Sequence, residues 1–281
     1  MLYQIDNLIE GTIIKRPSKL IKSPYVADVH LKGDETTIIA HSASLGCSGL
    51  AEAECNVLLA KIESSSKKND TMKCSHRIYL SIIKNGSSEE IVGIYPKFAE
   101  HIAESALKKN LISSLQNIKS YKRETPIYIE GHIDSRFDFS GIDENECPFI
   151  MEIKNVPLAD YEDGNKKDKK KMDFSSRDFN SKVAYFPDGY RKKSTDVISP
   201  RALKHIKELM YIKQHSKTRA ILCYVIQRSD IIRFQTSIND LIYKQAVKDA
   251  KDVGVEIITL VVKWTRDGKA HFVSNNLPIN L

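Results

Sequence analysis

The chain has no apolar run long enough to cross a bilayer. Its longest apolar stretches, 220–226 and 255–262, fall far short of the roughly 20 residues a spanning helix needs. Asp6 and Glu10 interrupt the N-terminus, so no signal-peptide core is visible. The five cysteines (Cys47, Cys55, Cys74, Cys147, Cys223) show no CxxC spacing. An odd, irregular set fits reduced thiols rather than a disulfide framework or a zinc site. There is no glycine-rich phosphate loop, which argues against NAD or ATP as a cofactor, and no internal repeat. These absences lead to the expectation of a soluble, cytoplasmic protein without a membrane partner or a nucleotide cofactor.

What is present is the composition of a chain that buries a core: 281 residues, 41% hydrophobic and 28% charged. The length fits one large domain or two ordinary ones. Lys and Arg number 43 against 36 Asp and Glu, a net charge of +7, which leans toward a polyanionic partner. The excess is local. Residues 166–193 hold ten basic and four acidic side chains, so nearly all of it lies in one segment.

The first 95 residues read as β-rich. Strands are expected at 25–31, 36–40 and 56–62, with a polar loop at 64–70 and a hairpin of 77–83 and 90–94 around Asn85-Gly86. Short strands between polar turns suggest a small barrel or sandwich. The pattern changes at Pro96. A helix is expected at 97–108, strands at 127–133, 136–139 and 149–156, and a helix at 200–213 capped by Ser199 with Pro200 in its first position. A buried strand at 219–227, a helix at 237–253 opening on Ser237-x-x-Asp240, a strand at 255–262 and a turn at Asp267-Gly268 follow. Alternating strands and helices indicate an α/β domain with a partly parallel sheet. Residues 160–182 lack periodicity, carry a lysine run and read as a flexible insertion.

Residues 149–156, FIMEIKNV, carry the candidate chemistry. In a strand, residues two apart share a face, so Phe149, Met151 and Ile153 point one way and Glu152 and Lys154 the other. If the strand containing Asp138 pairs alongside, its carboxylate approaches Glu152. Two carboxylates and a backbone carbonyl are hard oxygen ligands suited to Mg²⁺. The ion would activate a water and polarise a phosphate, while the lysine orients that water and offsets transition-state charge. The same spacing also fits a structural ion pair between Glu152 and Lys154 or Arg136. Other Asp-x-Lys strings, at Asp168, Asp249 and Asp267, fall in an insertion, a surface helix and a turn.

Ordered blocks along nearly the whole chain resemble the sugar fermentation stimulation proteins (SfsA). Thr12-Ile13-Ile14-Lys15-Arg16 and Ala27-Asp28-Val29 are similar to that family's opening. Ser135-Arg136-Phe137-Asp138-Phe139 resembles its SRIDF segment, and Glu152-Ile153-Lys154-Asn155-Val156 its EVK segment. Tyr185-Phe186-Pro187-Asp188, Lys204-His205-Ile206-Lys207-Glu208-Leu209-Met210, Val225-Ile226-Gln227-Arg228 and the closing Leu277-Pro278-Ile279-Asn280-Leu281 match further blocks. Two first-domain segments depart: a CPNTG-type block reads His41-Ser42-Ala43-Ser44-Leu45-Gly46, and a VNT-like one reads Ile94-Tyr95-Pro96.

The resemblance implies an α+β/α/β fold: an OB-like small β-barrel over 1–95 that binds nucleic acid, then a PD-(D/E)xK nuclease-like domain over 96–281, its mixed sheet flanked by helices. It implies Asp138 and Glu152 as ligands of Mg²⁺ or Mn²⁺, Lys154 as the catalytic lysine and Glu124 as a further ligand. Gln227, at a strand end, would orient a phosphate or water, or serve as a capping amide. His205 and Glu208 lie three apart on one helix and face either the site or solvent. Lys15, Arg16, Lys19 and Lys22 form one basic cluster, and Lys166, Lys167, Lys169, Lys170 and Lys171 a second that would track phosphates without sequence preference. Tyr25 and Tyr95 are candidates for base stacking. The expected activity is metal-dependent hydrolysis of phosphodiester bonds in DNA (or RNA), with a homodimer as the form in which such enzymes often cut both strands. The alternative is a non-catalytic DNA-binding regulator of sugar metabolism.

Overall fold

The structure is a computed structural model. It describes residues 1–34, 36–42, 47, 49–62, 74–189, 191, 193 and 195–281, without the side chains of Lys166 and Lys167. The expected loop at 64–70 and positions 43–46 of the CPNTG-like segment lie outside the described residues.

The chain begins with β1 (Tyr3–Gln4), β2 (Ile9–Lys15), β3 (Val26–Leu31), β4 (Thr37–Ser42), β5 (Asn56–Lys61), β6 (His76–Asn85) and β7 (Ser88–Gly93). Then come α1 (Lys97–Lys108), β8 (Ser120–Ile129), β9 (Ile133–Ile142), β10 (Pro148–Val156), β11 (Ala159–Asp160), α2 (Lys166–Lys169) and β12 (Lys182–Phe186). The last part holds α3 (Pro200–His215), β13 (Arg219–Ile226), β14 (Ile231–Thr236), α4 (Leu241–Asp252), β15 (Glu256–Trp264), β16 (Lys269–Ser274) and β17 (Ile279–Asn280). It is a mixed α/β fold with several sheets and few helices. Among the described residues no helix is long and apolar enough to cross a membrane.

Strands β4-β3-β2-β5-β6-β7 form one sheet, and an added parallel pairing of β4 with β6 closes five of them on themselves. Ile13, Val29, Val57, Leu59 and Ile78 fill its interior. The hairpin expected at Asn85-Gly86 is present, with Asn85 opposite Ser88 and Gly86 at φ +59°. Strand β2 escaped the sequence reading. Gly11 interrupts its β-signature, yet a Cβ there would meet Val29 Cγ1 at 2.8 Å and His30 O at 2.9 Å, so glycine is what lets β3 approach.

The larger sheet runs β1-β16-β15-β13-β10-β9-β8. Its centre, β10, β13 and β15, is parallel, and its flanks are antiparallel. Residues 3–4 therefore sit with the large sheet although they fall within the first 95 residues. Helix α1 covers one face, with Phe98, Ile102 and Leu107 packed on Met151, Val225 and Trp264. Helices α3 and α4 cover the other, where Ile206, Leu209, Tyr243 and Val247 meet Leu222 and Tyr224. Burial on both faces explains the unbroken apolar run of β13. Each fully buried large side chain contributes about 1.5–3 kcal/mol. A third sheet, β11-β12-β14-β17, packs alongside.

Three expected elements need correction. The strand at 127–133 straddles a hairpin turn: β8 ends at Ile129 and β9 starts at Ile133, with Gly131 at φ +73° in the turn. The helix expected from 237 starts at Leu241, because Asp240 rather than Ser237 caps it, accepting from the Tyr243 N–H at 3.0 Å. The 160–182 insertion is tied into the fold. It contains α2, and Asp163 accepts hydrogen bonds from Gln235, Ser237 and the Ile238 N–H. The helix at 200–213 is borne out, with Ser199 capping the Ala202 N–H and Pro200 first.

The closed sheet is locked to the large one. Glu90 on β7 accepts from the Ser229 N–H at 2.5 Å, and the Gly93 N–H donates to Gln227 O at 3.1 Å. Leu80, Ile82 and Ile91 extend into the core beneath α1.

Candidate active site

Strand β10 carries the site because its two sides are read by different partners. Phe149, Met151 and Ile153 enter the core beneath α1. Glu152 and Lys154 turn to the α3 side, where both are buried. The antiparallel register between β9 and β10 runs from Pro148 opposite Ile142 to Met151 opposite Phe139. Just past its end, the Ile153 N–H donates to Asp138 Oδ2 at 2.7 Å, so the side chain satisfies a strand donor that the backbone no longer pairs. Strand β9 changes faces here. Phe137 packs on the α3 side and Phe139 on the α1 side. On the adjacent strand Glu124 has φ +48°, a left-handed conformation uncommon for a non-glycine residue.

Lys154 Nζ donates to Glu152 Oε1 at 2.7 Å and lies 3.3 Å from His205 Nδ1. His205 Nδ1 in turn contacts the same Glu152 oxygen. Glu152 Oε2 is buried without a hydrogen-bond partner among the described residues. Burial opposes the charge on Glu152, but the ammonium of Lys154 and the ring of His205 outweigh it and hold its carboxyl below the usual range. Asp138 goes the other way. Burial, joined by the charge of Glu152, pushes its carboxyl up to about 7. The structural pairing weighed from the sequence is thus present as Glu152–Lys154, whereas Arg136 pairs with Glu124 at 3.2 Å.

A cavity of about 210 Å³ opens on this cluster. The first turns of α1 and α3 flank it through Lys97, Glu100 and Arg201, with Asp138, Glu152 and Lys154 at its base. The positive ends of two helices face the same space. Glu100 is a carboxylate that the sequence reading did not pick. Its only available signal was an acid in the first turn of an otherwise apolar-faced helix. Arg123 NH2 holds it at 3.0 Å.

The other expected residues are placed as follows. Gln227 is fully buried, donating to Asn155 Oδ1 and accepting from Trp264 Nε1, each at 2.9 Å. It therefore orders Asn155, which lines the cavity, and is not itself in the lining. Glu124 is exposed and absent from that lining. His205 and Glu208 are both buried rather than solvated, but they diverge: Glu208 accepts from the Asp134 N–H at 3.0 Å. Lys15 and Lys19 are exposed, while Arg16 braces the carbonyls of Pro24 and Ala51. Lys169 pairs with Asp160 at 2.7 Å and Lys171 stands 3.6 Å from Asp168. Lys170 is exposed, and the side chains of Lys166 and Lys167 lie outside the described residues. Tyr95 packs on Tyr79 and Phe98, and Tyr25 stacks on His41.

Among the described residues no three His, Cys, Asp or Glu side chains are grouped as ligands of a metal. The donor set still fits a Mg²⁺-type ion, which keeps several waters and is commonly held by one or two carboxylates. The orphaned Glu152 Oε2 is a buried oxygen needing a positive partner. Asp138 resists ionisation beside a second carboxylate and would gain the same partner.

Comparison with known proteins gives a consistent picture. Residues 97–268 match the family described as "Sugar fermentation stimulation protein RE domain". A sugar fermentation stimulation protein homolog of Idiomarina loihiensis is 26% identical over 280 residues, covering 98% of this chain and 97% of the relative. Another, from Pseudoalteromonas atlantica, is 28% identical over 257 residues, 90% of this chain and 89% of the relative. The structure of Pyrococcus furiosus SfsA in complex with Ca²⁺ superposes with a TM-score of 0.72 at 18% identity, covering 100% of this chain and 99% of that one.

Proposed function

The chain belongs to the sugar fermentation stimulation protein (SfsA) family, and on that premise we propose that it is a Mg²⁺- or Mn²⁺-dependent nuclease that hydrolyses phosphodiester bonds of DNA or RNA. The observation that carries this reading is the buried cluster on β10: Asp138 beside Glu152, Lys154 on Glu152, and one carboxylate oxygen without a partner among the described residues. The closed five-strand unit is read as an OB-like nucleic-acid-binding barrel, and the sheet between α1 and α3/α4 as nuclease-like. The fold shared with a protein described as a Ca²⁺ complex also supports a divalent cation.

Asp138 and Glu152 would hold the ion. When bound, it supplies Lewis-acid polarisation of the phosphate and a more acidic water. Lys154 brings a fixed positive charge to the base of the cavity, where it orients the attacking water and offsets charge developing on phosphorus-bound oxygens. His205 holds the Glu152 carboxylate in place from α3. Lys97 and Arg201, at the cavity wall, oppose the substrate's negative charge. Because the cluster is buried, these charges act through a low dielectric and count for more than they would in water.

The test uses purified protein with labelled DNA and RNA in Mg²⁺, Mn²⁺ or EDTA. Metal-dependent cleavage abolished by Glu152→Gln is the expected result. Cleavage unchanged in Glu152→Gln, or none in any metal, rejects the nuclease and leaves the non-catalytic nucleic-acid-binding reading.

A further inference from the structure

Three cavities follow one another through shared lining residues, and the last of them borders the closed sheet. The first is the carboxylate cavity. The second, about 230 Å³, shares Pro96 and Asn155 with it and adds Leu158, Tyr185 and Asp188. The third, about 900 Å³, shares those last three residues and is walled by Leu50 and Ile83 of the closed-sheet region on one side and by the insertion on the other. We infer that these cavities form one track for a single strand of nucleic acid, leading from the carboxylates past Asn155 and Tyr185 into the basic third cavity. The inference rests on the nuclease reading for the first cavity and names the substrate class of that site.

Size argues for one strand. The carboxylate cavity is small, about 210 Å³, room for a phosphate and its neighbouring sugar and not for the body of a duplex. Glu152 and Lys154 lie at the bottom and are almost fully buried. A single strand bends into such a recess far more easily than a duplex, whose persistence length is ~50 nm.

Charge argues for phosphates. The third cavity is lined by Lys169, Lys170, Lys182, Arg191 and Arg228 against Asp160 and Asp188. Asp230 holds Lys182 at 2.7 Å and Arg228 at 2.6 Å, and Asp160 holds Lys169, so three of the five cations are fixed in position. Lys170 and Arg191 have no carboxylate partner among the described residues. They are the two positions from which a phosphate would gain most. The cavity also presents Phe174, whose ring stacks on Tyr161 at 5.4 Å. A ring surface among cations is the chemistry by which single strands are bound without sequence preference. The lysine run of the insertion thereby acquires a place: Lys170 lines the cavity, and Lys169 is pinned beside it by Asp160.

Fluorescence anisotropy of labelled 12-nucleotide DNA and RNA strands, and of a matched blunt duplex, tests the track. It is measured with Glu152→Gln protein in EDTA, so that no cleavage intervenes. The single strand should bind at least tenfold more tightly than the duplex. Adding Lys170→Glu and Arg191→Glu should weaken single-strand binding at least tenfold and reduce the salt slope by about 1.4, the value for two lost contacts. Should that pair fail to fold by thermal melt, Lys170→Gln with Arg191→Gln should still reduce the slope. Equal or tighter duplex binding, or an unchanged slope, overturns the track. Cleavage by wild-type protein reports separately on the nuclease. Metal-dependent cutting with an unchanged slope sinks the track alone, and a reduced slope without any cutting sinks the nuclease alone. The DNA and RNA arms tell the two polymers apart.

Discussion

Lys154 Nζ stands 2.7 Å from Glu152 Oε1 on the α3-facing side of β10, while the second oxygen of that carboxylate is buried without a partner among the described residues. One end of the glutamate is thus used to hold a cation of the chain, and the other is placed to meet one from outside. The unmatched anion has a neighbour in Asp138, and the pair is costly to keep charged in a buried place. A divalent ion relieves that cost.

Divalent ions should raise the melting temperature of the wild type and leave Asp138→Asn unmoved. An ion present at 100 times its Kd stabilises by about 2.7 kcal/mol. In EDTA, Asp138→Asn should melt no lower than wild type, because it removes a buried carboxyl that Glu152 repels. Differential scanning fluorimetry with and without Mn²⁺ reads both effects, and equal shifts in the two proteins would count against the site.

Lys154→Met should abolish cleavage while retaining Mn²⁺ binding, since the lysine acts on water and not on the ion. It also leaves Glu152 with His205 as its remaining partner. Removing one member of a buried pair costs about 3–5 kcal/mol, measurable by urea unfolding. Lost metal affinity in this variant would show that the lysine positions the ligands.

Asp230 sets an acid limit on stability away from the site. Burial opposes its charge, but Arg228 and Lys182 outweigh that and hold its carboxyl below the usual range. A group whose native pKa is lowered stabilises the fold above its unfolded value, about 3.9, and that contribution disappears as pH falls through the native value. Asp230→Asn should therefore be less stable by about 3–5 kcal/mol at pH 7. Its unfolding free energy should also fall less steeply than wild type below about pH 4. Parallel pH profiles would refute the assignment.

Gln227→Leu should destabilise by about 1–3 kcal/mol for each of the groups it orphans, Asn155 Oδ1 and Trp264 Nε1. Gly93→Ala attacks the same junction from the closed sheet, since a Cβ there would lie 2.5 Å from Trp264 Nε1 and 2.6 Å from Gln227 Oε1. Both variants should retain Mn²⁺ binding while cleavage falls. Chemical denaturation and calorimetry separate the two effects.

The sequence made the site's core legible because a strand has a strict period of two. Glu152 and Lys154 had to share a face, and FIMEIKNV had to bury the alternate one. The helix ends at Ser199-Pro200 were legible from capping chemistry, which is local. What was not legible came from tertiary contact. The sequence left His205 between site and solvent, and its contact with Glu152, 53 residues away, is what decides for the site. Glu100 reaches the cavity only because α1 packs across the sheet. Strands β12 and β14 carry mixed polar and apolar residues, and they become strands through partners distant in the chain. The insertion looked structureless because its ties, such as Asp163 to Ile238, are long-range as well.

The central claim is that Asp138 and Glu152 together hold a divalent ion, and anomalous diffraction from crystals soaked in Mn²⁺ tests it most directly. The account predicts a single strong peak between the two carboxylates, with Glu152 Oε2 among its ligands. Full soaking with no peak there, and Glu152 still engaged only by Lys154 and His205, would contradict it.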